Sequence, residues 1–305
     1  MPSSFSAATC RITSPANASG SLEGLVSSPS DCHRCGVQKA LRCDEDFSTR
    51  HSMERIMEEN DRLIEVERDN GFATIWLNRP DRLNALVPEM LAAFDRIMQD
   101  LNDDPDISAV ILTGKGKAFC VGLDVAVLQE SGPEPFLPFN PARTISQWKG
   151  PVIAAINGLS VTGGLEITVA CDIILASEDA VFVDTHSRVG LLPGWGLSVR
   201  LHRAVGIYRA KELELTGRRL PAREAADWGL VNRVVPASDL LDTAREMARA
   251  IVGGAPGLPA ETKALIDKVS LVSMEQGIEL EAQIGFERQA RSGRSLSFAH
   301  VGQSK

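Results

Sequence analysis

Long apolar runs and an excess of positive charge are both missing from this chain of 305 residues. No uninterrupted apolar stretch approaches the roughly 18–20 residues that a membrane-spanning helix needs, so no membrane association is expected. Lys and Arg number 32 against 40 Asp and Glu, and the net charge is −8. Because nucleic-acid binding needs clustered basic residues, this balance argues against it. With 44% hydrophobic residues the chain can bury a sizeable core, and we expect a soluble protein with one large domain, or one domain with an appendage.

Repeated cysteine pairs are also missing. Cys32 and Cys35 have the C-x-x-C spacing of a zinc site, but no second pair accompanies them, and no metal site is expected. Cys120 and Cys171 stand in apolar contexts, which predicts buried thiols in a reducing compartment.

Three common glycine motifs are absent or incomplete. No G-x-G-x-x-G opens a helix after a strand, so a dinucleotide fingerprint is missing. The turn GKGK (114–117) lacks the spacing of a phosphate-binding loop. GLSVT (158–162) approaches the G-x-S-x-G of serine hydrolases but has Thr162 in place of the last glycine, which leaves a serine hydrolase as a weak competitor.

Residues 1–57 differ from the rest of the chain. They are rich in Ser, Ala and Pro and have no apolar period, so we predict a disordered extension. Arg11 is the only basic residue before the first acidic residue, Glu23, whereas transit peptides are richer in arginine. Met53 and Met57 are alternative start sites. The cytoplasm is the expected location, and organellar targeting by this extension stays an alternative.

The rest of the chain has regular periodicity. Residues 63–78 alternate around Asn70-Gly71 as in a hairpin. Further predicted strands are 108–114, 151–157, 172–177, 180–183 and 230–235, and residues 118–128 are predicted to form a short strand and a turn that enters a helix. Predicted helices are 87–101, 163–171, 196–206, 208–217, 222–229 and a last helical stretch that begins at 239. Strand–helix units followed by helices predict an α/β fold.

Two strand-to-helix turns resemble each other. AFCVGLD (118–124) contains Gly122, and SVTGGLE (160–166) contains Gly163 and Gly164. Each turn can direct backbone N–H groups toward one spot, and two such donors form an oxyanion hole that stabilises charge on a carbonyl oxygen. A single carboxylate, Glu166, follows inside an apolar helix, where it is costly unless it is paired or functional.

Five stretches of the sequence resemble the crotonase, or enoyl-CoA hydratase/isomerase, superfamily: LNRPDRLNAL (77–86), KAFCVGLD (117–124), IAAINGLSVTGGLEITVACDIILAS (153–177), VGLLPGWGLSVRLHRAVG (189–206) and ELTGRRLPAREAADWGLVNRVVP (214–236). They keep the family's order and spacing. The resemblance implies a crotonase-type ββα spiral core at 58–235 and a C-terminal helical oligomerisation region at 236–305. It also implies an acyl-CoA substrate, no cofactor beyond the coenzyme A of that substrate, and a homotrimer or a dimer of trimers.

The resemblance also implies roles for residues of the two turns. The thioester oxygen would lie between the N–H groups of Leu123 and Gly163. Thr162 stands where the family usually has Gly or Ala, and we expect it to narrow the pocket slightly. The further residues expected to contact the substrate are Gly122, Asp124 and Gly164.

Glu166 occupies the position of the first catalytic glutamate of a hydratase, where it would orient and deprotonate water. The second glutamate of the family follows by about twenty residues, and here His186 stands at that position in VFVDTHSRVG. Histidine can donate a proton at neutral pH, so hydration stays chemically feasible. The alternatives are a Glu166 paired with an arginine and a His186 bonded to a backbone carbonyl. Asp184 and Arg188 flank His186 without a predicted role.

The leading hypothesis is therefore an enoyl-CoA hydratase-like enzyme. Because the second glutamate is replaced, a crotonase-type lyase, decarboxylase or isomerase is the alternative, and the loop 131–148 is predicted to line the acyl pocket and to decide among them. A non-catalytic acyl-CoA binder is a further alternative. Glu166 argues against it, since a pure binder has no use for a buried carboxylate beside the thioester.

Overall fold

A computed structural model describes residues 63–292 of the protein. The predictions for the extension 1–57, for Cys32 and Cys35 and for the last residues of the C-terminal region lie outside these residues. In the part of the chain that is described, no helix is long and apolar enough to cross a membrane.

The strands form two sheets. Between residues 63 and 292 the strands are Ile64–Asp69 (β1), Phe72–Leu77 (β2), Ala109–Gly114 (β3), Ala118–Cys120 (β4), Val152–Ile156 (β5), Leu159–Val161 (β6), Ile173–Ser177 (β7), Val181–Val183 (β8), Leu220–Pro221 (β9) and Arg233–Val235 (β10). The larger sheet has the order β1-β2-β3-β5-β7-β10, and the smaller sheet has the order β4-β6-β8-β9.

The helices follow the predicted periodicity closely. They are Pro88–Asp103 (α1), Val125–Ser131 (α2), Pro141–Gln147 (α3), Gly163–Ala170 (α4), His186–Val189 (α5), Leu197–Val205 (α6), Ile207–Thr216 (α7), Ala222–Asp227 (α8), Leu240–Val252 (α9), Leu258–Val269 (α10) and Met274–Ser292 (α11). Short 3₁₀ turns occupy Pro80–Arg82, Glu134–Phe136 and Ala237–Asp239.

A ββα unit repeats three times and confirms the predicted spiral. Each of the pairs β3–β4, β5–β6 and β7–β8 places its first strand in the larger sheet and its second strand in the smaller sheet. A helix follows each pair, namely α2, α4 and α5. Neighbouring strands within each set are parallel, so the three helix-leading turns leave the smaller sheet at the same edge.

The central strands of the larger sheet, β3 and β5, are buried on both faces. All five residues of β5 are buried, as its uncharged and branched sequence predicts. Ile153 and Ala155 pack with Phe72 against α9, while Val152, Ala154 and Ile156 belong to the main core. The alternation of strand side chains separates these two clusters. Cys120 and Cys171 are free, buried thiols, as predicted.

Two local predictions were wrong, and one short helix was not predicted. The stretch 131–148 is not a continuous loop, because residues 141–147 form α3, with Pro141 at its start and Asn140 accepting a bond from the N–H of Arg143. Strand β10 spans three residues of the predicted 230–235. His186 opens the short helix α5, which the sequence analysis did not predict.

Candidate active site

Three turns at one edge of the smaller sheet carry the predicted site residues. In this sheet β6 lies between β4 and β8 and is parallel to both. The carboxyl ends of parallel strands meet at one edge. The turn after β4 contains Leu123, the turn after β6 contains Gly163, and the segment after β8 contains His186. The fold thus brings together residues that are up to about sixty positions apart in sequence.

The first turn leaves the N–H of Leu123 free. Leu86 donates its N–H to the carbonyl of Gly122 and accepts from the N–H of Asp124, both at 2.8 Å. Because successive N–H groups of an extended segment point to opposite sides, the N–H of Leu123 points away from Leu86. Gly122 has φ +88°, which glycine adopts without strain.

The second turn lies directly against the first. A Cβ added to Gly163 would lie 3.3 Å from the Cα of Gly122, and one added to Gly122 would lie 3.1 Å from the nitrogen of Gly163. A Cβ on Gly164 would collide with the carbonyl oxygen of Cys120. Within residues 63–292, neither the Leu123 nor the Gly163 N–H has a hydrogen-bond acceptor. Two adjacent free donors, one at the start of α4, suit the predicted oxyanion site.

Thr162 holds the second turn in an unusual backbone conformation. Its φ is +53°, a region that β-branched residues rarely occupy. Its hydroxyl lies 2.5 Å from that of Thr185 and accepts from the N–H of Thr185 at 3.1 Å. Its own N–H donates to the carbonyl of Val183 at 2.9 Å. The side chain therefore ties the turn to the segment that leads to His186.

We expect Thr162→Gly to be more stable than Thr162→Ala by about 1 kcal/mol, because glycine adopts a positive φ without strain. Both variants lose the hydroxyl contact, so their difference isolates the backbone conformation. Denaturant unfolding of the two proteins measures it. The usual order, with alanine the more stable, would contradict the positive φ at this position.

Glu166 lies on α4 and is buried, with 3% of its surface exposed. Its Oε1 accepts the backbone N–H of Trp195 at 2.7 Å, and the backbone of Leu197 also bonds to it. Among the described residues its charged neighbour is a histidine, so the alternative of an arginine partner was wrong. Burial raises the pKa of the Glu166 carboxyl above its ordinary value, although these bonds oppose the shift.

His186 lies between two carboxylates. Its Nδ1 is 2.6 Å from Oδ1 of Asp184, and its Nε2 is 3.6 Å from Oε2 of Glu166. Burial favours the neutral ring, but the hydrogen bond and charge of Asp184, with the charges of Glu166 and Glu214, outweigh it and raise the pKa of His186. The alternative of a bond to a backbone carbonyl was wrong. The ring is set up to carry a proton next to Glu166.

The predicted substrate-contacting residues differ in their surroundings. Gly122 and Gly164 allow the close packing of the two turns. The carboxylate of Asp124 accepts from Arg79 Nη1 at 2.6 Å and caps α2 through the N–H groups of Ala126 and Val127. These partners hold the pKa of Asp124 below its usual range, the bond to Arg79 contributing most. A contact between this side chain and substrate stays a prediction.

The contacts that Asp184 and Trp195 make with the site residues were not predicted from the sequence. Asp184 is 1% exposed although it carries a carboxylate, and it follows the buried strand β8 directly. The available signal was a charged residue directly after a buried strand and two positions before a histidine. The contact of Trp195 uses its backbone N–H, which no side-chain pattern announces.

A cavity of about 1050 Å³ lies elsewhere, between α4 and α6 on one side and α9 and α10 on the other. Its lining is largely apolar and includes Arg200 and Lys263, but neither Glu166 nor His186. Lys263 is already paired with Asp172 at 2.5 Å. The candidate active site is therefore assigned from the convergence of chemical groups rather than from this cavity.

Comparisons with known proteins show which family this chain resembles. Residues 67–295 match the family model described as enoyl-CoA hydratase/isomerase. A protein of Arabidopsis thaliana named probable enoyl-CoA hydratase 1, peroxisomal, is 36% identical over 234 residues, which cover 76% of this chain and 88% of the relative. The short-chain-enoyl-CoA hydratase of Clostridium acetobutylicum is 35% identical over 224 residues, 72% of this chain and 86% of that protein. The crystal structure of an enoyl-CoA hydratase from Bacillus anthracis superposes with a TM-score of 0.71 at 35% identity and covers 75% of this chain and 91% of that one.

Proposed function

The chain belongs to the enoyl-CoA hydratase/isomerase family and is an enoyl-CoA hydratase-like enzyme, and we propose that it adds water across the double bond of a trans-2-enoyl-CoA thioester by the chemistry of Glu166 and His186. The observation that carries this proposal is the placement of the two side chains 3.6 Å apart beside two turns with free N–H groups. One group is suited to accept a proton and the other to donate one.

The two turns would stabilise the enolate. When water adds to Cβ, negative charge moves to the thioester oxygen, and the N–H groups of Leu123 and Gly163 would bind that oxygen. Such donors act most strongly on charge that develops in the transition state, because they are fixed in advance. The start of α4 adds its partial positive charge at the same place.

Glu166 and His186 would handle the two protons of the reaction. The Glu166 carboxylate takes one proton from water while the water oxygen bonds to Cβ. The imidazolium of His186 gives its Nε2 proton to Cα and collapses the enolate to the 3-hydroxyacyl thioester. The proton on Glu166 then returns to His186 across the short gap, and the site is reset. Proton transfer by positioned groups contributes roughly 100- to 10,000-fold in rate.

The thioester group of the substrate supplies the activation that the reaction needs, so we propose no cofactor beyond the coenzyme A of the substrate.

For the assembly we propose a homotrimer or a dimer of trimers. Large apolar side chains on and between α10 and α11 support a protein interface there: Ile266, Leu271, Met274, Ile278 and Phe286 are 60% to 82% exposed. Sedimentation of the purified protein measures the mass of the assembly, and a monomer would contradict it. Location in the cytoplasm stays a proposal.

The test is the loss of the conjugated-enoyl absorbance of crotonyl-CoA, and of a longer trans-2-enoyl-CoA, on addition of the purified protein. Hydration removes the conjugation, so we expect rapid loss with at least one chain length. No loss with either substrate, despite binding of CoA esters, would refute hydration and redirect the search to lyase, decarboxylase or isomerase substrates.

We expect a bell-shaped dependence of kcat/KM on pH. Catalysis needs Glu166 ionised, and its raised pKa places the acid limb above the ordinary value of about 4.5. It also needs His186 protonated, and its raised pKa places the alkaline limb above about 6.5. Initial rates across the range with crotonyl-CoA measure both limbs. An alkaline limb that persists unchanged in His186→Gln would show that another group titrates there.

A further inference from the structure

Asp184 is held rigidly behind the imidazole of His186. Its Oδ1 accepts the backbone N–H of His186 at 3.1 Å and lies 2.6 Å from Nδ1 of the ring. Within residues 63–292, its Oδ2 is buried and has no hydrogen-bond partner. A buried carboxylate with one free oxygen is costly unless a neighbouring positive charge compensates it. The ring of His186 is the group in position to supply that charge.

The charges around the ring favour the imidazolium from three sides. Asp184 approaches from the end of β8, Glu166 from α4, and Glu214 from α7. Arg188, on the same short helix as the histidine, donates instead to the carbonyl of Thr216. The Asp184 contact also fixes which nitrogen reacts. With Nδ1–H bonded to the carboxylate, Nε2 faces Glu166 and is the only ring position left to release a proton.

We propose that Asp184 is a positioning residue for hydration: it fixes the ring and tautomer of His186 and keeps its Nε2 supplied with the proton that goes to Cα. This inference rests on the proposed function and extends it to a residue outside the two predicted catalytic positions. Catalytic pairs in which a buried carboxylate orients a histidine follow the same logic in other reactions. In this proposal Asp184 acts only through the ring of His186 and transfers no proton to the substrate.

Asp184→Asn separates this role from a structural one. Asparagine has nearly the same shape, and its Oδ1 can still accept from the N–H and from Nδ1–H of His186. Only the charge is lost, so the fold is expected to persist and the pKa of His186 to fall. We expect kcat at about pH 8 to decrease roughly 10- to 100-fold, part of what a general acid contributes, with KM little changed and the alkaline limb shifted to lower pH.

A second arm uses the His186→Gln background. If Asp184 acts through the ring, adding Asp184→Asn to His186→Gln causes no further loss of kcat. A loss of equal size in both backgrounds would refute the positioning role, because the carboxylate would then act by another route. An unchanged pH profile and rate in Asp184→Asn would refute it as well.

A third arm does not depend on turnover. The chain has five histidines, so ¹⁵N-labelled imidazole resonances can be assigned to His186 by comparison with His186→Gln. At pH values above its titration midpoint we expect the neutral ring of the wild type to carry its proton on Nδ1, and we expect a lower titration midpoint in Asp184→Asn. Equal midpoints would overturn the proposal even if hydration is confirmed. A wild type that hydrates no enoyl-CoA would instead refute the proposed function, and these resonances would still report whether Asp184 holds the ring.

Discussion

Replacing Glu166 with glutamine is expected to lower kcat for enoyl-CoA hydration by about 1,000-fold, within the range that a positioned base contributes. Glutamine keeps the shape of the side chain, and its amide oxygen can still accept the N–H of Trp195, which bonds to Oε1 of Glu166 at 2.7 Å. It cannot take a proton from water. KM is expected to change little, since in the proposed mechanism the thioester oxygen binds to the backbone of the two turns and not to this side chain.

The same substitution is expected to raise the free energy of unfolding at neutral pH. Burial raises the pKa of Glu166 in the folded protein, so the carboxyl is most favourable to folding when protonated, and that contribution is lost as pH rises through the folded pKa. Glutamine carries no charge, so the variant does not lose this stability as pH rises. Lower activity with equal or higher stability is the signature of a residue kept for function.

Crotonyl-CoA hydration and denaturant unfolding measure the two effects. Glu246→Gln is the matched control, because Glu246 is an exposed carboxylate on α9 and its neutralisation leaves the site unchanged. The loss of a general base should lower the hydration rate by a large factor. A Glu166→Gln protein that hydrates crotonyl-CoA at a rate within about threefold of the wild type would therefore exclude Glu166 as the base.

The sequence was sufficient for the fold because its signals are local and agree with one another. The turn at Asn70-Gly71 sets the hairpin register of β1 and β2, and the uncharged run of β5 requires burial on both faces. The glycines of SVTGGLE are needed where the turn contacts Cys120 and Gly122, so the motif marks its own packing. The order of the matching stretches in the family then indicated which turns lie next to each other.

The partners of the site residues could not be predicted in the same way. Whether Asp184 faces His186 depends on the short helix α5 and on a side-chain rotation, and neither leaves a periodic pattern in four residues. The contact of Trp195 is made by its backbone, so its residue type is not informative. The positive φ of Thr162 occurs directly after β6, where its hydroxyl contacts Thr185 after β8, and a contact between two separate segments is a tertiary property.

The pairing of Asp184 with His186 offers a physical account of the missing second glutamate. The Asp184 carboxylate lies 2.6 Å from Nδ1 of the ring and favours its protonated form. His186 in that form brings a transferable proton to the position where the resemblance places the second glutamate. In the proposed mechanism the substitution therefore keeps a proton donor at this position while it changes the group that donates.

His186→Gln is accordingly expected to lower kcat by roughly 100- to 1,000-fold, because the amide cannot give a proton to Cα. It also leaves Asp184 buried without its cation, so we expect the protein to lose stability at neutral pH. Rates are therefore measured at a temperature where circular dichroism shows the variant folded. His202→Gln on α6 is the control for replacing a histidine.

His186→Glu distinguishes a proton donor from a residue that only shapes the pocket. A carboxyl group introduced at position 186 would lie between the carboxylates of Glu166 and Asp184, and the neighbouring negative charges would favour its protonated form. The variant therefore retains a transferable proton, and we expect its kcat to exceed that of His186→Gln by about tenfold or more. Equal rates in the two variants would mean that the proton at Cα comes from another source. A higher rate for His186→Glu than for His186→Gln would mean that the reaction requires a proton donor at position 186, and that either histidine or glutamate can serve.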